Sequence, residues 1–87
     1  MKFFAVYLPM LDREKSEQFR PQHLAFLDTM RNEGKVYANG KFTDGSGGLV
    51  IYHADSYEDC EALVLNDPYV QEGARGYSIK QWEAVWA

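Results

Sequence analysis

Apolar and polar positions along the chain change period several times, and each change marks an element. Lys2 to Leu8 (KFFAVYL) is a short run of aromatic and branched residues stopped by Pro9, the pattern of a strand. Phe3, Ala5 and Tyr7 point to one side and Phe4, Val6 and Leu8 to the other; both sides are apolar, so the strand belongs inside a sheet. From Pro21 to Glu33 the period becomes helical, with Pro21 suited to a first turn and Gly34 to a stop. At about 100° per residue, Phe19, Phe26, Leu27 and Met30 share one arc with Leu24 at its margin, and His23 falls inside it. Lys35 to Phe42 (KVYANGKF) and Leu49 to His53 (LVIYH) flank the turn composition TDGSGG and predict a hairpin. Ser56 with Asp59 three residues on predicts an N-cap and a second helix to about Asn66, with Tyr57, Cys60, Leu63 and Val64 on one face. Asp67-Pro68 repeats the capping pattern, and Tyr77 to Trp86 (YSIKQWEAVW) alternates as a terminal strand would.

The order strand, helix, strand, strand, helix, strand predicts an α+β, ferredoxin-like βαββαβ domain. It has a four-stranded antiparallel sheet with two helices on one face. Right-handed crossovers put both helices on the same side, which leaves an apolar sheet face uncovered. A homodimer formed sheet against sheet is the simplest cover, with higher assembly open. Length points the same way: 87 residues make one domain, spanning residues 1 to 87, whose single core is marginal without a partner surface.

Composition narrows the function classes. Lys and Arg number 9 against 13 Asp and Glu, for a net charge of −4, and the basic residues are scattered, which argues against binding nucleic acid. No apolar run approaches the roughly 20 residues of a membrane span, and Met1 to Met10 lacks the core and cleavage site of a signal peptide. One cysteine, Cys60, allows no internal disulfide and no C-x-x-C motif, so a cytoplasmic protein is expected.

Two residues stand out as candidate chemistry. His23 is directed inward by its helical phase, and an inward imidazole needs a partner. It is either a core histidine bonded to a backbone carbonyl or an acid/base group in a pocket. Asp67 continues the inward stripe of Tyr57, Cys60 and Val64 and is either an N-cap or the carboxylate that orients His23; its two oxygens permit both. Arg20, one turn before His23, could hold an anionic group of a substrate, and Tyr7 and Tyr69 are candidate pocket walls. His53, at a strand end beside Asp55, is expected to be a solvated edge residue, and two distant histidines make no metal site. TDGSGG lacks the context of a phosphate-binding loop, and Cys60, with acidic neighbours, is expected to be inert.

With RPQHLAFLDTMRNEGKVYANG at Arg20 to Gly40 and YEDCEALVLNDPYVQEG at Tyr57 to Gly73, the chain resembles the YciI-like family of small dimeric proteins over nearly its whole length. The resemblance implies a dimeric α/β barrel, related in fold to muconolactone isomerases, with a His-Asp pair in a pocket beside the sheet; those positions match His23 and Asp67. Characterised chemistry in the family includes dehydrochlorination of a chlorinated hydroxyquinol. The chain departs from the family where Gly40 is followed by Lys41-Phe42 and the short TDGSGG turn, in place of a Gly-Pro pair and a longer segment. The expectation is a small enzyme of lyase or isomerase type, without metal or organic cofactor, that moves a proton on a small cyclic or aromatic molecule. His23 would be its acid/base, with Asp67 as orienting group. The alternative is a non-catalytic dimer that binds a small metabolite or a partner, with the His-Asp pair structural. A haem-degrading or quinol-oxidising monooxygenase on the same architecture is disfavoured, because His23 is the sole inward candidate ligand.

Overall fold

The computed structural model describes residues 2–87. Its strands are β1 (Lys2–Pro9), β2 (Val36–Lys41), β3 (Gly47–Ala54) and β4 (Ser78–Gln81). Its helices are α1 (Arg13–Gln18), α2 (Arg20–Asn32), α3 (Tyr57–Val64) and α4 (Pro68–Gln71). The sheet is antiparallel throughout, in the order β2-β3-β1-β4, which is the ferredoxin-like arrangement. The two strands with apolar residues on both faces, β1 and β3, take the two central places.

Alternation along β1 sorts the residues as the pattern requires. Phe4, Val6 and Leu8 are buried on the helix side, opposite Tyr52, Val50 and Gly48 of β3. Leu27 of α2 and Cys60 and Val64 of α3 close this core. The α2 phase holds, since His23 and Leu27 are buried, Phe26 and Met30 partly so, and Gln22, Ala25 and Asp28 exposed. α2 is stopped just past its Glu33 cap by Gly34, whose φ of +76° an L side chain rarely adopts. At the start of α3, the Ser56 hydroxyl accepts from the Asp59 backbone N–H at 3.1 Å, as the spacing predicts. Burial, reinforced by Glu61, pushes the Cys60 thiol up to about 12, so it stays a neutral packing group.

Four expectations need correction. The helix α1 was not foreseen, because REKSEQ has no apolar periodicity; an Asp12 cap on the Lys15 N–H forms it, and only Ser16 of it is buried. There are accordingly four helical segments rather than two, the fourth opened by Asp67-Pro68. The terminal strand stops at Gln81, opposite Phe4, with one further backbone bond from the Trp82 N–H to the Phe3 carbonyl at 2.8 Å. Trp82 and Trp86 follow it outside any strand, with rings 5.6 Å apart. His53 is no edge residue: it lies on central strand β3, stacked on Phe3 at 4.6 Å on the sheet face away from the helices.

That face carries Phe3, Ala5, Tyr7, Leu49 and Ile51, bordered by Tyr37 and Trp86, which are 60% and 54% exposed. No helix among the described residues is long and apolar enough to cross a membrane.

Truncating Leu27 to alanine removes the main contact of α2 with the sheet core. It is expected to lower stability by about 2–5 kcal/mol out of a total of about 5–15 kcal/mol for a domain of this kind. Urea unfolding followed by circular dichroism checks this, and a loss under about 1 kcal/mol would show that α2 is seated differently.

Candidate functional site

The α4 turn begins where the chain leaves α3. Asp67 has extended backbone (φ −68°, ψ 125°), Pro68 occupies the first helical position, and one Asp67 carboxylate oxygen accepts the Tyr69 N–H at 2.9 Å. The capping geometry turns the carboxylate inward, where it is fully buried. There it meets His23, held on the inner face of α2, with Nδ1 at 2.8 Å and 3.0 Å from the two carboxylate oxygens. One side chain thus caps α4 and hydrogen-bonds His23.

An ionised carboxylate only accepts, so His23 Nδ1 must carry the donated proton. In the neutral ring that leaves Nε2 as the acceptor, the nitrogen able to take a proton from something else. The His23 side chain is only 10% exposed, and its opening is to a cavity of about 120 Å³. Tyr69 stacks on the imidazole with ring centroids 3.8 Å apart and an interplanar angle of 12°, which limits rotation of the ring. Below the pair lies the Tyr52 hydroxyl, buried and without a hydrogen-bond partner among the described residues. Burial, and then the neighbouring Asp67 charge, push its pKa well above the ordinary phenol value, so it remains protonated.

The cavity is bounded by the sheet end on one side and by α2 and the segment after α4 on the other. His23, Tyr69 and Arg20 line it. Tyr7 does not: it lies on the opposite sheet face, where its ring is 5.9 Å from Phe42, because odd positions of β1 face away from the helices. Four other contributors were not anticipated. Asn39 and Lys41 reach the cavity because β2 has a register shift between Val36 and Ala38, which moves both onto the helix side opposite Val50 and Gly48. Arg31 donates to the Asn39 side-chain oxygen and orients it. Gly48 forms part of the floor, where a Cβ would stand 2.8 Å from the Gly40 carbonyl oxygen and 3.4 Å from Arg75 Nη1.

Arg75 is the fourth. It sits between Ala74 and Gly76 in a segment without periodicity, and no sequence pattern marks it. Its backbone is fixed by its own N–H bond to the Tyr69 carbonyl, 3.0 Å, and by a bridge to Met10. Its guanidinium, 4.6 Å from the Tyr69 ring centroid, donates to the buried Ser16 hydroxyl through Nε and Nη2 at 3.3 and 3.0 Å. Ser16 is the one buried residue of α1, so the unforeseen helix and the unforeseen arginine are one arrangement.

Among the described residues no group of three or more His, Cys, Asp or Glu side chains has the arrangement of a metal site. What the geometry provides is an oriented imidazole with one nitrogen held by a buried carboxylate, at the wall of a small cavity.

Comparison with known proteins agrees with this architecture. A Bacillus subtilis (strain 168) protein named uncharacterized protein YjpA is 30% identical over 82 residues, covering 90% of this chain and 96% of that one. Among solved structures, 5-chloro-2-hydroxyhydroquinone dehydrochlorinase (TftG) from Burkholderia phenoliruptrix AC1100, in complex with 2,5-dihydroxybenzoquinone, superposes with a TM-score of 0.80. That match covers 93% of each chain at 20% identity, a likeness of fold. The sequence model of the YCII-related domain matches residues 1–83, and the chain belongs to the YCII-related domain family.

Proposed function

We propose that the protein is a small enzyme of lyase or isomerase type in which His23 moves a proton on a small cyclic or aromatic substrate. The observation that carries this is the 2.8 Å bond between His23 Nδ1 and the buried Asp67 carboxylate at the wall of a cavity. With Nδ1 occupied, Nε2 takes a proton from a ring carbon. At a saturated ring carbon, as in the keto form of a hydroxylated ring, the C–H electron pair becomes a double bond; in an elimination a leaving group departs with its own pair from the adjacent carbon, and in an isomerisation the new double bond displaces a neighbouring one, whose electron pair takes the proton back at the far carbon. Neither route changes the oxidation level of the pair of reactants as a whole, so neither needs an oxidant, a reductant or an organic cofactor. Asp67 is the positioning residue: it selects the tautomer and stabilises the imidazolium formed when Nε2 is protonated. Tyr69 and Arg20 bound the substrate's position. The fold likeness to a dehydrochlorinase bound to a dihydroxybenzoquinone supports a hydroxylated ring as the substrate type.

We assign the exposed aromatic sheet face to a second copy of the chain, since a domain of this size gains from covering an apolar patch that its own helices leave open. The single cysteine, buried and unpaired, fits a reducing cytoplasmic setting.

Chlorinated and unsubstituted hydroxyquinols and unsaturated lactones, incubated with the protein in D2O and followed by proton NMR and halide release, test the activity. Replacement of His23 by alanine should lower turnover by about 10²–10⁴-fold, the usual contribution of an acid/base group. Asp67→Asn should retain the cap and the fold while losing most of the rate, because an amide can cap but does not stabilise an imidazolium. A folded His23→Ala variant with turnover within about threefold of the parent would leave the pair a structural bond in a binding protein.

The second-copy assignment is checked by light scattering on a sizing column. The parent should elute as a dimer, and Ala5→Glu, which sets a charge in the middle of the open face, should shift it toward monomer with unchanged circular dichroism. A parent that is monomeric at about 100 μM, well above the Kd of a stable homodimer, would contradict it.

A further inference from the structure

The cavity beside His23 has a local charge opposite to that of the chain. Acidic residues outnumber basic ones 13 to 9 overall, yet Arg20, Lys41 and Arg75 line the cavity, and among the described residues no carboxylate does. An adjoining hollow of about 210 Å³ shares those three and Tyr69; it adds Arg13, with Glu17 as its one acidic neighbour. Arg20, Lys41 and Arg13 are exposed and could be explained as solvated side chains. Arg75 cannot be: it is 7% exposed, and a guanidinium so buried is ordinarily matched by a carboxylate. Its partners are neutral, namely the Ser16 hydroxyl, the Tyr69 ring and the Leu8 carbonyl, the last at a long 3.4 Å from Nη1. It makes no ion pair among the described residues, and Asp67, the nearest buried acid, is engaged by His23 and the Tyr69 N–H.

Burial pushes the Arg75 pKa down, and the adjacent Arg20 and Arg13 charges add to this against the opposing pull of Tyr69 and Asp67. Even so, a guanidinium keeps its proton in proteins. The result is a fixed, poorly compensated positive charge at the wall of a concave site, where field focusing draws in an anion. Of the five N–H groups of an arginine, the Ser16 and Leu8 bonds use one each on Nε, Nη2 and Nη1. One N–H on each terminal nitrogen is left over and can donate to a carboxylate. Gly48 keeps the approach open, since a side chain there would crowd Nη1.

We propose that the cavity recognises the carboxylate of a small cyclic or aromatic acid, with Arg75 as its binding group and Arg20 and Lys41 as supporting charges at the rim. Anion recognition stands on Arg75; that the held ring is presented to His23 rests on the proton-transfer assignment above. The cavity, about 120 Å³, has the scale of one ring, since apolar cavities of roughly 150 Å³ hold benzene.

Titration calorimetry on the full chain with 4-hydroxybenzoate and its neutral isostere 4-hydroxybenzamide tests the proposal. The acid should bind at least about tenfold more tightly than the amide at low salt, and the preference should shrink about threefold or more between roughly 50 and 500 mM NaCl. Arg75→Met should abolish the preference while leaving amide binding within about twofold. Should that variant not fold, Arg75→Lys, which keeps the charge and loses the fork, should weaken the acid severalfold. Equal affinity of the parent for acid and amide overturns the proposal, as does the absence of any binding of the acid up to about 5 mM. His23→Ala separates the two assignments: it should keep the preference for the acid while lowering turnover by about 10²–10⁴-fold, and a preference lost with His23 alone would also overturn Arg75 as the binding group.

Discussion

A carboxylate taken wholly out of water is tolerated only if its oxygens are satisfied, and the site is organised around that requirement at Asp67. The Tyr69 N–H and the His23 ring nitrogen satisfy it, the first within the same turn and the second across 44 positions of sequence. One group therefore starts α4, ties α2 to α4 and determines which imidazole nitrogen holds the proton. Tyr69, placed by the turn that Asp67 caps, then lies flat against the imidazole and carries the Arg75 guanidinium on its ring. Removing the carboxylate would therefore disturb the imidazole, the cavity wall and the cationic group together.

The sheet supplies the other half of the site by what it lacks. Across one row on the helix side stand Leu8, Gly48 and Lys41, and the missing side chain in the middle leaves a floor on which Arg75 can approach the strands. The register shift in β2 rotates Asn39 and Lys41 into that row. A strand of strict alternation would have aimed both at the opposite face. The cavity is thus built beyond the register shift, and the positive charge gathers in the same place.

Sequence pattern reached the fold and the His23–Asp67 contact by different routes. The central strands were legible because β1 and β3 are apolar on both faces, and α2 because its apolar arc is continuous; His23 was legible as a polar residue inside that arc. Asp67 was legible as a cap, with its inward direction following from the α3 stripe. Arg75 and Ser16 were not, because neither lies on a periodic element: one is in a loop between small residues and the other on a helix whose remaining side chains all face solvent or its edge. Tyr7 was misplaced for a related reason. A strand apolar on both sides does not announce which face meets the helices, and that face is settled only once the bulk of Phe4, Val6 and Leu8 has packed against Leu27, Cys60 and Val64.

The central claim is that Asp67 holds the His23 ring with its proton on Nδ1 and leaves Nε2 as the base. Long-range proton–nitrogen NMR correlation on uniformly labelled protein reads this directly, with His53 as an internal reference outside the pair. The neutral His23 ring should show the Nδ1–H tautomer, and Asp67→Asn should weaken that preference toward a mixture. A neutral ring protonated on Nε2 in the parent would contradict the account, since Asp67 would then not be accepting from Nδ1 and the nitrogen assigned to the substrate would already hold a proton.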